Sequence, residues 1–352
     1  MKTTASLFTG GGLFDIGAIA AGYTPIWGIE YDDKIAAVAR LNGLPVMTAD
    51  VCKVDYGSME RPQHLHASPP CPNFSVAKNG GKETEQDIAL AHAVSIALLT
   101  LKPETFTLEN VPAYIHSKSF EIIAHTLSDM GYWWDVNNLN AANFGVPQTR
   151  LRLWVRASRQ LLRGYPPPVK WIGWYEAIAD LIPSLPDTEF APWQLARLPE
   201  EYKSFIIGQG TYSAPVGIDE PAQTITANNN QSAIKAFVLV ANGDETVIHQ
   251  GDEPIFTMKA TQDKSPARAF VLDGANAGRD ITIRDADQPI YSQTSSMDRA
   301  PARAYANGRV VKMTVQALGR FQSVPDSYKG LAVRINGNGV PPLMAQKILE
   351  TL

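Results

Sequence analysis

A glycine turn between a short strand and a helix constrains the first third of the chain. Ala5-Ser6-Leu7-Phe8 reads as a buried strand, Gly10-Gly11-Gly12 as a tight turn, and Phe14 to Ala21 as a helix that stops at Gly22. The alternation continues. Pro25 to Glu30 is a second strand, Asp33 to Leu41 a second helix closed by Asn42-Gly43, and Val46 to Thr48 a third strand. Gln63 to Ala67 forms a fourth strand that runs into Ser68-Pro69-Pro70. Ile88 to Leu101 is apolar at helical spacing and ends before Pro103, and Thr105 to Leu108 is a strand leading into Glu109-Asn110. Such a rhythm predicts an α/β fold, with a mostly parallel sheet covered by helices on both faces. Ligands of these sheets sit beyond the carboxyl ends of the strands, and each polar cluster described next falls at such an end.

From about residue 160 the texture changes, with Pro166-Pro167-Pro168 as a stiff break and little helical periodicity after it. Pro221-Ala222-Gln223-Thr224, Pro254-Ile255-Phe256-Thr257 and Pro289-Ile290-Tyr291-Ser292 then recur 33 and 35 residues apart. Ala236-Phe237, Ala269-Phe270 and Ala304-Tyr305 follow at the same offsets. Asn242-Gly243, Asp273-Gly274 and Asn307-Gly308 supply hairpin turns. Three β-hairpin units side by side are expected over about residues 220–308. Taken alone, they fit a duplicated scaffold as well as a binding surface. Residues 335–352 return to a loop and helix that belong with the first domain, which makes that domain discontinuous.

Bulk properties exclude several classes. The apolar runs Ile96 to Leu99 and Phe237 to Val240 are far too short to span a bilayer, and no apolar leader precedes the glycine turn. Two cysteines make no disulfide framework, and no Cys/His cluster has zinc spacing. A cytoplasmic protein without metal or membrane partner is expected. The net charge of −4 is uninformative about nucleic acid, because binding depends on where the basic groups sit. Between Val136 and Tyr175 there is no acidic residue, whereas Arg150, Arg152, Arg156, Arg159, Arg163 and Lys170 lie within that stretch.

The glycine turn lets backbone approach a ligand closely. Glu30 ends the second strand 20 residues after Gly10, placed to accept the hydroxyls of a ribose. Asp50 follows the third strand and suits an adenine amino group. Singly, each acid reads as a helix cap or surface charge; in this order they describe a nucleoside pocket, and no Walker lysine is present. Cys71 sits in Ser68-Pro69-Pro70-Cys71-Pro72-Asn73-Phe74-Ser75, where flanking prolines stiffen the backbone around a thiol. Most lone cysteines are merely small buried hydrophobes. Here, however, Glu109 ends the next strand and Gln148, Arg150 and Arg152 share one side of another, so four polar groups converge on one cleft.

These motifs together resemble the cytosine-5 DNA methyltransferase family. The resemblance rests on FTGGG, Glu30, Asp50, SPPCPNFS, the ENV of Glu109 to Val111, and FGVPQTRLR ending at Arg152. It continues in LGRFQSVPDSY from Leu318 to Tyr328 and INGNGVPP from Ile335 to Pro342. It covers roughly the first 155 and last 40 residues, and it implies a Rossmann-like S-adenosylmethionine-dependent domain over 1–160 and 332–352. A smaller β-rich target-recognition domain would occupy 161–331, which turns the repeats into a DNA-reading scaffold. The implied catalytic set is Cys71, Glu109, Arg150 and Arg152, supported by Gln148 and Asn110. The implied cofactor contacts are Phe8, Gly10, Gly12, Leu13, Glu30, Tyr31, Asp50, Val51, Pro70, Leu90, Asn338 and Val340. Ser75, Arg268 and Arg303 are assigned to DNA. The implied partner is double-stranded DNA, bound by a monomer, with a cognate restriction endonuclease as a possible companion.

Two positions depart from the family pattern. Leu13 replaces the second of two adjacent glycines and is expected to narrow the pocket around the methionine part of the cofactor. Ala89 stands where an arginine often follows the aspartate at Asp87, which bears on loop closure or DNA contact. Residues 205–310 hold nine Lys/Arg against twelve Asp/Glu, so the recognition region is not broadly basic. Rival readings are a structured RNA as substrate and a DNA-binding protein without catalysis. A cysteine hydrolase would need a histidine base; His64, His66 and His92 are present, but their local sequences offer no Cys-His pattern.

Overall fold

The computed structural model describes residues 2–70, 83–189, 239–242, 245–248, 270–272, 283–290, 303–306 and 309–352. Cys71, Ser75 and Arg268 lie outside them. Strands β1 (Lys2–Leu7), β2 (Tyr23–Glu30), β3 (Val46–Thr48), β4 (His64–Ala67) and β5 (Thr105–Asn110) pair in parallel. With β6 (Trp133–Asn140) and β7 (Leu151–Ser158) they form a seven-stranded sheet in the order β3-β2-β1-β4-β5-β7-β6. Only β7 runs against its neighbours. The expected mostly parallel α/β sheet is therefore present. The order reverses between β1 and β4, the place where such sheets open a crevice for ligands.

Helix starts follow from local chemistry. Asp32 accepts from the N–H groups of Lys34 and Ile35 at the start of α2 (Asp33–Leu41), and Thr84 with Asp87 forms a reciprocal capping box on α3 (Glu85–Leu101). Asp87 is thus committed to a helix terminus. By contrast α1 (Leu13–Ala20) begins after Gly12, at φ 80°, with no side-chain cap, so its first N–H groups remain open toward the glycine turn. Helix α4 (Lys118–Asp129) starts at Ser117, which caps Phe120.

The two faces of the sheet differ. Leu7, Leu65, Ala67, Phe106, Leu108, Leu153 and Val155 point to one face and pack with Val94 and Leu98 of α3 and with Ile123 and Leu127 of α4. Alternate residues of the same strands, Ser6, His64, His66, Thr107, Glu109 and Arg156, point to the other face and are buried too. That second face is covered by Phe14 and Ala18 of α1 together with Met344, Ile348 and Leu349 of the final helix. The chain returns to it through α6 (Val315–Phe321), α7 (Val333–Asn338) and α8 (Pro342–Leu349), the short α5 (Trp174–Ile178) having preceded them.

The described chain divides into two compact units. The first comprises Met1–Leu181, Asp287–Ala300 and Thr314–Leu352, and the second Ile182–Ala286 and Pro301–Met313. Residues 161–181 and 314–331 fall in the first unit by this division, while the sequence expectation placed them in the smaller domain. Within the second unit, β8 (Leu239–Asn242) and β9 (Glu245–Ile248) form an antiparallel pair. Strands β10 (Phe270–Leu272), β11 (Ile283–Asp285), β12 (Arg303–Ala306) and β13 (Arg309–Lys312) form a sheet in the order β11-β10-β12-β13. Phe270 lies opposite Tyr305, which pairs the second and third repeats in register.

Gly17 is where α1 meets α8. A Cβ built there would lie 2.3 Å from the Pro342 carbonyl oxygen and 2.8 Å from Ala345 Cβ. Gly17→Ala should therefore destabilise the fold by about 1–3 kcal/mol, the usual cost of overpacking. A lowered urea midpoint with an unchanged slope would bear this out; an unchanged midpoint would show that the two helices separate freely.

Candidate active site

Two loops meet where the sheet order reverses: Phe8 to Gly12 after β1, and Ser68 to Pro70 after β4. Phe8 has φ 58°, unusual for a residue with a side chain, and Gly10 follows at 59°. Left-handed backbone at alternate positions near a crevice points to a binding role. The turn is pinned from both sides. Thr9 donates its N–H to Ile29, and the Tyr328 hydroxyl donates to the Gly11 carbonyl at 2.5 Å. Among the described residues, nothing lies within 4 Å of a Cβ built on Gly10.

Glu30 stands at the end of β2 beside this turn. Its Oε2 accepts from Gly10 N–H and its Oε1 from Asp32 N–H, both at 2.9 Å, so the carboxylate is oriented by backbone while each oxygen keeps a lone pair. Asp50, past β3, accepts from Cys52 N–H at 3.0 Å and lies 3.5 Å from Lys53 Nζ. Val51 is buried and Leu90 partly buried against the same core, while Tyr31 is exposed. Two carboxylates on neighbouring strand ends, with apolar residues between them and an open glycine turn alongside, fit a nucleoside. Of the other expected cofactor residues, Pro70 and Asn338 are exposed and Val340 is buried. Leu13 is buried against Val324 and Ile335, with its side chain over Gly339, where a Cβ would come within 2.5 Å of Leu13 Cδ1. Its side chain is thus occupied by packing on the C-terminal segment.

Glu109 ends β5 and is almost wholly buried. Arg152 Nε approaches its Oε1 at 3.2 Å, from the neighbouring strand β7. Burial raises the proton affinity of the carboxyl; Arg152, Arg150 and a hydrogen bond from Ser68 oppose it, and burial wins. Asn110, next along, donates to the Pro69 carbonyl at 3.1 Å and accepts from Val111 N–H, so it clamps the loop that leads into Cys71. Arg150, just before β7, is buried and donates to the carbonyls of Gly337 and Gly339, both at 3.0 Å, so it ties the start of β7 to the C-terminal segment. Gln148 is fully buried and its side-chain amide has no hydrogen-bond partner among the described residues. Arg303 opens β12 in the second unit and is half-buried. Glu109, Arg152, Asn110 and Ser68 come together; Arg150 is engaged with the chain itself.

Asp15 and the histidines of β4 were not picked out as site residues in the sequence. Asp15 lies under the glycine turn, where Ser6 donates to its Oδ2 at 3.0 Å while Oδ1 has no partner among the described residues. His64 and His66 alternate with Leu65 in β4, opposite the Thr-Phe-Thr of β5. Polar residues repeating every second position on two adjacent strands were the available signal.

The profile of the C-5 cytosine-specific DNA methylase family matches residues 2–352. The chain is 30% identical to the type II methyltransferase M.DdeI of Desulfomicrobium norvegicum over 200 residues, 52% of this chain and 48% of that protein. It is 29% identical to the type II methyltransferase M.NgoBI of Neisseria gonorrhoeae over 158 residues, 44% of this chain and 50% of the other. The chain thus spans about half the length of these relatives. Among solved structures, the methyltransferase EhMeth of Entamoeba histolytica matches 100% of this chain and 97% of its own with a TM-score of 0.60 at 12% identity. The Dnmt2 methyltransferase of S. pombe matches 99% and 98% with a TM-score of 0.54 at 12% identity. At those identities the structures share the fold.

Burial lifts Asp15 to about 7, against Ser6, which lowers it. Below an unfolded value near 4 the group is protonated in both states. Between there and about 7 only the folded protein holds the proton, so stability falls as pH rises through that window. Asp15→Asn should remove up to about 1.4 kcal/mol of stability loss per pH unit there. Urea unfolding of both proteins across the window measures it, and parallel curves would rule the ionisation out.

Proposed function

The chain belongs to the C-5 cytosine-specific DNA methylase family, and from that premise we propose that it methylates carbon 5 of cytosine in double-stranded DNA, with S-adenosylmethionine as donor. The observation that carries this reading is the buried Glu109–Arg152 pair, 3.2 Å apart, beside the loop that runs into Cys71. A target base turned out of the duplex would enter this cleft. Cys71 thiolate adds to carbon 6 of the ring. Glu109, whose burial favours the protonated acid, gives its proton to ring nitrogen 3 as the ring becomes electron-rich. Arg152 offsets negative charge at the ring carbonyl oxygen, and Arg150 supports it indirectly, through its hold on Gly337 and Gly339. Loss of the carbon 5 proton and expulsion of Cys71 restore aromaticity.

The bound cofactor would supply an electrophilic methyl group for carbon 5. Glu30 and Asp50 would hold its ribose and adenine, with Phe8, Val51 and Leu90 as apolar walls. The stretch 161–331, which contains the second compact unit, carries target recognition in this reading. Its scarcity of basic residues shifts phosphate binding toward the segment from Arg150 to Lys170, with Arg268 and Arg303 as additional contacts.

Mass spectrometry of nucleosides from unmethylated duplex DNA incubated with enzyme and S-adenosylmethionine tests the reading directly. 5-Methylcytosine should appear, vanish in Cys71→Ser, and fall by about 10²–10⁴-fold in rate in Glu109→Gln with DNA affinity retained. Product on RNA in place of DNA would overturn the substrate assignment. Asp50→Ala should weaken cofactor affinity more than DNA affinity; the reverse order would break the pocket assignment.

A further inference from the structure

Behind Glu109 runs a line of polar side chains that the chemistry above does not use. Parallel pairing sets His64 opposite Thr105 and His66 opposite Thr107. The two-residue period of a strand then puts His64, His66, Thr105, Thr107 and Glu109 on one face of the sheet. Thr105 Oγ1 lies 2.8 Å from His64 Nδ1, and His64 Nε2 lies 3.0 Å from Thr107 Oγ1. Thr107 Oγ1 lies 2.9 Å from His66 Nδ1, and His66 Nε2 lies 2.7 Å from Ser68 Oγ. Ala67 pairs with Leu108, so Ser68 follows beside Glu109, and its hydroxyl lowers the proton affinity of that carboxyl. The line starts at half-buried Thr105, at the amino end of β5 away from the cleft, and ends at the proposed acid.

Its surroundings keep the imidazoles neutral. Phe14 stacks on His66 with ring centroids 3.5 Å apart, and Tyr23 lies edge-on to His64. Burial lowers His64 to about 3 and His66 well below its usual value. The charged groups bearing on the line are Lys2 of β1 at His64, Arg156 of β7 opposite Thr107, and Arg150, just before β7, with Arg152 of β7 at Glu109. Asp15 of α1 is turned to Ser6.

A neutral imidazole has one N–H and one lone pair, and a hydroxyl can donate once. A closed series of such groups therefore has a single direction. When Ser68 donates to ionised Glu109, His66 must donate from Nε2, Thr107 to His66 Nδ1, His64 from Nε2, and Thr105 to His64 Nδ1. The opposite direction satisfies every member when Glu109 is protonated and donates to Ser68.

We propose, on the reading of Glu109 as the acid, that Thr105, His64, Thr107, His66 and Ser68 form a relay that exchanges the Glu109 proton with solvent at the amino end of β5. Thr105 takes one proton from hydronium as it passes its own to His64 Nδ1. His64 gives its Nε2 proton to Thr107, which passes one to His66 Nδ1. His66 gives its Nε2 proton to Ser68, which protonates Glu109. One proton enters, one is delivered, each relay group again holds one, and no imidazolium remains. The relay reaches Glu109 from behind, by a route that a flipped base and bound cofactor would leave open. His64 and His66 are positioning residues, acting through Ser68.

The test uses the full chain labelled with ¹⁵N-histidine, its imidazole spectrum followed between about pH 5 and 9. Both imidazoles should stay neutral, carry their proton on the same ring nitrogen, and switch nitrogen together over one pH interval. Thr107→Val should uncouple them. It should also lower kcat for methyl transfer about tenfold and displace the acidic limb of its pH profile by about one unit, with KM for DNA within about twofold. Thr107→Ser should restore both. Independent switching, an imidazolium in this range, or a Thr107→Val protein matching the wild type in spectrum and profile would overturn the relay. Should Thr107→Val fail to fold, the wild-type and Thr107→Ser spectra decide alone. A wild type with coupled imidazoles but no 5-methylcytosine would sink the activity and leave the relay standing.

Discussion

The parallel pairing of β1 with β4 at the centre of the sheet governs where the polar chemistry of this protein can be. Because the order reverses there, the loop after β1 and the loop after β4 leave the sheet side by side. The first loop bends through left-handed backbone at Phe8, Gly10 and Gly12. The second is stiffened by Pro69 and Pro70 and held by Asn110. The glycine turn after β1 and the Ser68-Pro69-Pro70 loop after β4 become adjacent as a consequence of strand order.

That arrangement requires the second face of the sheet to bury an unusual amount of polarity. Ser6, His64, His66, Thr107, Glu109 and Arg156 lie beneath α1 and α8, where apolar residues would pack more simply. Burial of such groups is tolerable only when their hydrogen bonds are met. Neighbouring strands meet them: hydroxyls of β5 serve the imidazoles of β4, and Asp135 of β6 with Thr351 serves Arg156 of β7. The C-terminal helix completes the face, and Arg150 fastens the approach to it by binding Gly337 and Gly339. The return of the chain after the second unit is therefore a structural requirement of the site, since without it this face would stand open to water.

Much of this was legible in the sequence. Apolar runs ending in polar clusters gave the strands, glycine and proline gave the loops, and Glu30, Asp50 and Glu109 stood at strand ends as expected of a parallel sheet. Long-range pairing was less legible. Strand order cannot be read from local periodicity, so the closeness of Ser68 to Glu109 depends on β4 and β5 being neighbours. Arg150 and Arg152 share a face, and no local rule says that one turns to backbone carbonyls and the other to a carboxylate. Leu13 suggested a narrowed pocket, but its direction is set by α7 and Gly339, over 300 positions away. Where 161–181 pack was likewise a matter of tertiary contact, because a proline break in sequence need not coincide with a break between compact units.

The histidines of β4 show how far such context can change a residue's meaning. In sequence they were considered as bases for a cysteine hydrolase and set aside for want of a Cys-His pattern. In the fold they are fully enclosed and unable to act as exposed bases, since burial denies them the cationic form. The same burial makes them directional conductors of hydrogen bonds, because a neutral ring must donate on one side and accept on the other. A carboxyl at the end of such a line differs from one buried among apolar groups. Its proton affinity is raised by lost hydration, yet a hydrogen-bonding partner serves it in either protonation state. In the proposed reaction, an acid that gives up a proton and recovers it in each cycle would be well placed at that end.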